Sequence, residues 1–342
     1  MSDSQWRFAE RYDLLGRLGD GAVGSVWLVR DQRSGAEYAI KILLPELTAR
    51  PEVAERLRAH LDAVRALGHP NIVAVDEVVG HEGRAALVMR PVAGDDLRVV
   101  LGRTGTLAAA HATILAAQLC DALAAAHAAD IAHGAVKPSN VLLESRPGGE
   151  GSIRVGLTDF GMAALAAAAD VTPLKDEIGE RYFAALPVEY QAPEIAVGMI
   201  ASPAADVYAV GALLYEVLSG AAPFTGEFAD VQRRHREAQP QRIPGLPDPL
   251  WLLIASCLAK PPQHRPSALD LASLLRNITP TVADAPAWAM RDAQDTTLLS
   301  AATLSSRIAR DTPPVPQGPD APPASAVALT AAETMMLVAV PH

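Results

Sequence analysis

At 342 residues, with 50% hydrophobic and 20% charged residues, the chain holds enough apolar material for one large or two-lobed globular unit with extensions. Its formal charge of -10 and the lack of a Lys/Arg cluster exclude nucleic acid and anionic membrane as main partners, because phosphate surfaces are bound by concentrated positive charge. Cys120 and Cys257, the two cysteines, lie in apolar helical patterns without metal-ligand spacing, which argues for buried thiols and against a disulfide framework or zinc site.

The first residues, "MSDSQWRFAERYD", are polar and lack the apolar stretch of a secretory signal. Residues 1–11 are read as an N-terminal extension. From Tyr12 to Val92 short strands surround one helix. "YDLLGRL" and "SVWLVR" flank a glycine turn, "DQRSGAE" has turn chemistry, and "YAIKILL" is β-rich. Residues 51–68 show helical spacing through Val53, Leu57, Val64 and Leu67, with Pro51 at the start and Gly68 as the stop. "NIVAVDEVV" and "RAALVMR" then form a hairpin across Gly80 to Gly83.

Residues 93–278 are mostly helical, with 3.6-residue apolar spacing in 107–130, 204–219, 249–259 and 267–277. The charge-free run from Thr104 to Cys120 falls short of the roughly 20 strongly apolar residues that span a bilayer. It reads as a buried helix, and cytoplasmic residence is the expectation. After Ile278 the composition shifts, and nine of the 27 prolines fall between Pro280 and Pro341 among Ala, Thr and Ser. Such a stretch buries too little surface to offset its ordering entropy, so 279–342 is expected to be a disordered tail. The fold class expected is therefore α+β: a small β-rich lobe, a larger α-rich lobe and a tail.

"LGDGAVGSV" sets Gly19, Gly21 and Gly24 in G-x-G-x-x-G order, followed by Val26. Glycines let a backbone close over phosphates and aim N–H groups at them. The glycines lie between two strands, and no helix opens after the third as a dinucleotide fold would require. Seventeen residues past Gly24, Lys41 ends "YAIK", a point charge suited to phosphate oxygens. Further along come "HPNIV", "HGAVKPSN", "DFG" at Asp159 to Gly161, "APE" at Ala192 to Glu194, "DVYAVGALLYEVLSGAAPF" and "HRPS". In this ordered set, from about Tyr12 to Asn277, the chain resembles a eukaryotic-type Ser/Thr protein kinase domain of the bacterial kind.

The resemblance implies a two-lobed kinase fold, with ATP and Mg²⁺ as cofactors. Asn140 and Asp159 match the metal-holding positions, and Lys137 is the catalytic-loop lysine. Leu18, Val26, Ala39 and Leu142 match the apolar walls around adenine. Met89 is at the gatekeeper position, and Arg90 and Val92 offer hinge backbone groups to the base. Glu194 and Arg265 match a buried ion pair, and Asp206 matches the anchor of the catalytic loop.

The chain departs from the family where the chemistry is done. Ala135 stands at the position of the Asp that accepts the proton of the attacking hydroxyl, and Gly134 replaces the Arg before it. His60, nine residues before His69, takes the place of the helix Glu that pairs with the strand lysine. It is open to two readings: a neutral acceptor for Lys41, or a side chain turned to solvent. Leu186 replaces a Thr that would bond to the missing Asp. Thr172 is a candidate activation-loop phosphosite.

Three functions follow as expectations. The first is a pseudokinase that binds ATP and Mg²⁺ and signals through a protein partner, with no catalytic residue set intact. The second is a slow Ser/Thr kinase. The third rests on the tail, where "DTTLL" and "ETMML" place an acid before Thr296 and Thr334 and a Leu three residues after each. This resembles phosphothreonine peptides read by forkhead-associated domains after an upstream Ser/Thr kinase has acted.

Overall fold

The computed structural model describes residues 7–21, 23–45, 51–145, 153–160, 188–195 and 201–282. The first lobe is a six-stranded antiparallel sheet. Its strands are β1 (Arg7–Phe8), β2 (Tyr12–Gly21), β3 (Gly24–Asp31), β4 (Glu37–Leu43), β5 (Val75–His81) and β6 (Arg84–Met89), in the order β1-β2-β3-β4-β6-β5. The register sets Lys41 opposite Val26 on one side and Leu87 on the other. Strand alternation thus places Ala39, Lys41 and Leu43 on one face, and all three are buried.

The turn between β2 and β3 pairs Gly21 with Gly24. A Cβ on Gly24 would lie 2.1 Å from the carbonyl oxygen of Ile42. The third glycine of the motif is therefore required by the approach of β4, whether or not a phosphate ever sits above it.

Helix α1 (Pro51–Ala66) buries Leu61 and Val64, 2% and 4% exposed, and Val64 joins the core that runs into the second lobe. Leu61 extends the apolar stripe that the sequence pattern drew through Val64 and Leu67. The second lobe is built on α2 (Leu97–Thr104), α3 (Ala109–His127), α4 (Pro203–Ser219), α5 (Phe228–Glu237), α6 (Asp248–Cys257) and α7 (Ala268–Ile278). Side chains of Asp96, Ser202 and Ser267 accept backbone N–H bonds at the starts of α2, α4 and α7, which meets donors that a helix start otherwise leaves unpaired.

Helix α3 is long and apolar enough to cross a membrane by composition alone, but here its apolarity is used inside the core. Ala112, Ala116, Leu119, Cys120, Ala122, Leu123 and Ala126 are fully buried with Tyr208, Leu213 and Leu214 of α4. Cys120 and Cys257 are free and buried.

The helices at 109–127, 203–219, 248–257 and 268–278 fall where the apolar spacing placed them. The sequence reading had no counterpart for α5, which buries only Val231 and His235, too few apolar residues to make a periodic signal. Nor did it have one for the small sheet of β7 (Gly94–Asp96), β8 (Val141–Ser145) and β9 (Ile153–Leu157). Strands of three and five residues are too short to establish an alternation.

Candidate functional site

The two lobes meet around Lys41 and Asp159. Lys41, 1% exposed, reaches from β4, and its Nζ lies 2.8 Å from both carboxylate oxygens of Asp159. Asp159 follows β9 in a left-handed conformation, φ 68°, a sparsely populated region for a residue with a Cβ and one that recurs at functional sites. Burial pushes its carboxyl pKa up, yet the Lys41 charge and hydrogen bond, with Lys137 and His133 behind them, bring it below the usual carboxylate value.

Residues 133–140 are held from below by α4. Asp206, 1% exposed, accepts the backbone N–H groups of His133 and Gly134 at 2.8 and 2.7 Å, and His127 Nε2 lies 2.8 Å from it. Gly134 sits at φ 75°, in the left-handed region that favours glycine. His133 is fully buried, with Nε2 2.8 Å from the carbonyl of Thr158 and its ring edge-on to Phe160 at 4.5 Å. Burial holds its imidazole below the ordinary pKa despite Asp206, so it is neutral. His127 and Phe160 belong to this site and were missed by the sequence reading. Phe160 was legible as the middle of "DFG", whereas His127 carries no local motif.

Ala135, at the expected base position, offers only its backbone: its N–H donates to His133 Nδ1 at 3.1 Å, and its carbonyl accepts Asn140 Nδ2 at 2.8 Å. Asn140 Oδ1 is left buried without a partner. An orphaned hard oxygen beside Asp159 is half of a Mg²⁺ donor set. The other half does not match, because both Asp159 oxygens are bonded to Lys41.

Leu18, Val26, Ala39, Met89, Val92 and Leu142 form one buried apolar cluster with Leu28 and Val73. The expected adenine walls are therefore brought together by β2, β3, β4, β6 and β8. Met89 is paired with Ala39 and Val75 across the sheet. The Arg90 side chain, 77% exposed, turns outward to Asp76.

His60 on α1 is half-buried, and its Nε2 is buried with no hydrogen-bond partner. It neither faces solvent nor accepts a bond from Lys41. Burial and the proximity of His133 lower its pKa, so it too is neutral. The ammonium that would pair with a helix acid has Asp159 instead.

Glu194 and Arg265 make a bidentate pair, 2.6 and 2.8 Å, with the Arg265 side chain 0% exposed and its remaining N–H groups on the carbonyls of Ala204, Ala259 and Lys260. Gly161, Thr172, Leu186, Thr296 and Thr334, with most of the expected tail, lie outside the described residues.

Residues 12–274 match the family model of the protein kinase domain. The serine/threonine-protein kinase PkaA of Streptomyces coelicolor is 40% identical over 278 residues, covering 78% of this chain and 49% of that protein. The serine/threonine-protein kinase PknA of Mycobacterium tuberculosis is 40% identical over 262 residues, covering 75% of this chain and 58% of its own length. The chain thus spans about half to three-fifths of these relatives. The kinase domain of Mycobacterium tuberculosis PknI, as a crystallised point variant, superposes with a TM-score of 0.60 at 24% identity, covering 81% of this chain and 98% of that one. That likeness concerns the fold.

Proposed function

Because the chain belongs to the protein kinase family, as a bacterial eukaryotic-type Ser/Thr kinase domain, we propose that it is a pseudokinase: a regulatory or scaffold protein that binds ATP and lacks efficient phosphoryl transfer. One observation carries this reading. Ala135 occupies the base position, and the described carboxylates that engage the surrounding motifs are already committed, Asp159 to Lys41 and Asp206 to the loop backbone and His127. Among the described residues, neither of these two carboxylates is left free to take the proton of an attacking hydroxyl. General-base assistance is worth about 10² to 10⁴ in rate, or roughly 3 to 5.5 kcal/mol of barrier.

The nucleotide would lie between the glycine turn and Leu142, with adenine against Val26, Ala39 and Leu142. Lys41 would meet its phosphates and the hinge backbone at Arg90 and Val92 its base. Mg²⁺ would supply charge neutralisation at the phosphates; Asn140 and Asp159 stand at the positions that would hold it, with Asp159 here engaged by Lys41. Cytoplasmic residence and signalling through a protein partner are part of the proposal, and the unpaired buried cysteines support a reducing compartment. A forkhead-associated domain reading phosphorylated Thr296 or Thr334 is one such partner.

A slow Ser/Thr kinase is the competing reading, favoured by the relatives being serine/threonine-protein kinases by name and by the retained Lys41, Asn140 and Asp159. The test is ATP binding by thermal shift alongside γ-phosphate transfer to the protein itself and to a generic basic substrate. Binding without transfer supports the pseudokinase. Transfer that Asp159→Ala abolishes supports the kinase.

A further inference from the structure

Two cations, Lys41 and a metal ion, have a claim on Asp159 of the cleft. In the arrangement the motifs imply, the strand lysine pairs with a helix acid, which leaves the acid after β9 to a metal ion. Here the helix position is His60, which offers no carboxylate and whose Nε2 is buried without a hydrogen-bond partner, and Lys41 holds both oxygens of Asp159 at 2.8 Å. Asp206 is bonded to backbone N–H groups and His127. Among the described residues, the unpartnered buried oxygens of Asn140 (Oδ1) and of Thr158 (Oγ1), the residue before Asp159, are both uncharged. A divalent ion entering between Asn140 and Asp159 would strip a 1% exposed ammonium of its counter-charge, which is strongly unfavourable in a buried site.

We infer that this cleft binds its nucleotide without a divalent cation, with the Lys41–Asp159 pair kept intact and Lys41 acting as the positive charge toward the phosphates. The inference rests on the pseudokinase reading. An ammonium has three donors, and two of those on Lys41 are directed at Asp159. The third is available to a phosphate oxygen, beside the N–H groups of the glycine turn. One ammonium then bridges carboxylate and phosphate, the position a metal ion takes when the lysine has an acid of its own.

The experiment is calorimetric titration of the full chain with ATP, once in EDTA and once in excess Mg²⁺. A Kd that differs by less than about tenfold between the two buffers is expected, and Mg²⁺ tightening of tenfold or more overturns the inference. His60→Glu gives Lys41 a second acid and is expected to make binding at least about tenfold tighter with Mg²⁺ than with EDTA, while His60→Gln stays insensitive. A folded His60→Glu protein that remains insensitive contradicts the charge count. If thermal unfolding shows that His60→Glu does not fold, the two wild-type titrations decide alone. Absence of binding in both buffers also overturns the inference while leaving the lack of transfer standing. Rapid transfer in the Mg²⁺ sample would instead remove the reading on which it rests.

Discussion

Ala135 and His60 remove two different parts of the cleft's chemistry, a proton acceptor and an acid for Lys41. An Asp restored at 135 would supply an acceptor for the substrate proton, but Lys41 would still be shared between Asp159 and a phosphate, without an acid of its own. Ala135→Asp alone is therefore expected to raise γ-phosphate transfer by less than about tenfold, and Ala135→Asp with His60→Glu by at least about 10², the lower end of what a general base contributes. Radiolabel incorporation under identical conditions checks both, and full recovery from the single change would show that His60 matters less than its place in the cleft implies. The sequence identified all of these positions through motif spacing. It left His60 open between solvent and Lys41, because helical periodicity fixes a face and not which buried neighbour a side chain meets. The Lys41–Asp159 pair joins a strand of the first sheet to the segment just after β9, residues 118 positions apart, so no local pattern could disclose it.

Among the elements, the start of α2 carries an unusual charge. Asp96 is fully buried, its Oδ2 lacks a partner, and burial raises its pKa to about 7 against the opposing N–H bonds of Val99 and Arg98. Between its unfolded value of 3.8 and about 7, the folded state keeps a proton that the unfolded chain releases. This group's contribution to stability is thus greatest below that window and declines as pH rises through it. Each tenfold change in proton affinity is about 1.4 kcal/mol, so Asp96→Asn is expected to flatten the fall in stability between pH 4 and pH 7 by up to a few kcal/mol. Denaturant melts across that range check it, and an unchanged slope would contradict it. The Glu194–Arg265 pair works oppositely, as a tie between the 188–195 segment and the late helices. Glu194→Ala leaves a 0% exposed guanidinium without its carboxylate and is expected to cost about 3–5 kcal/mol in urea denaturation; a loss under about 1 kcal/mol would mean that the carbonyls of Ala204, Ala259 and Lys260 suffice. Both ends of this tie were legible from "APE" and "HRPS". The burial of Asp96 was not, because a two-acid run before a helix reads as a solvated cap until β8 is seen lying beside it.

For the whole molecule, the core and the chemistry point in different directions. The α3–α4 core, the cap at Ser202, the Asp206 anchor and the Arg265 pair keep the frame of a protein kinase, while the loop they support presents Ala135. The two-lobed architecture was readable because long apolar helices and an ordered motif series leave strong signals; α5 and the small sheet were not, being too short or too polar. What the molecule does with this frame is decided by ATP binding and γ-phosphate transfer measured together on the full wild-type chain. The account predicts saturable binding with turnover onto protein at least about 10²-fold below the roughly 1–100 s⁻¹ of ordinary protein kinases. Turnover within that ordinary range would contradict it.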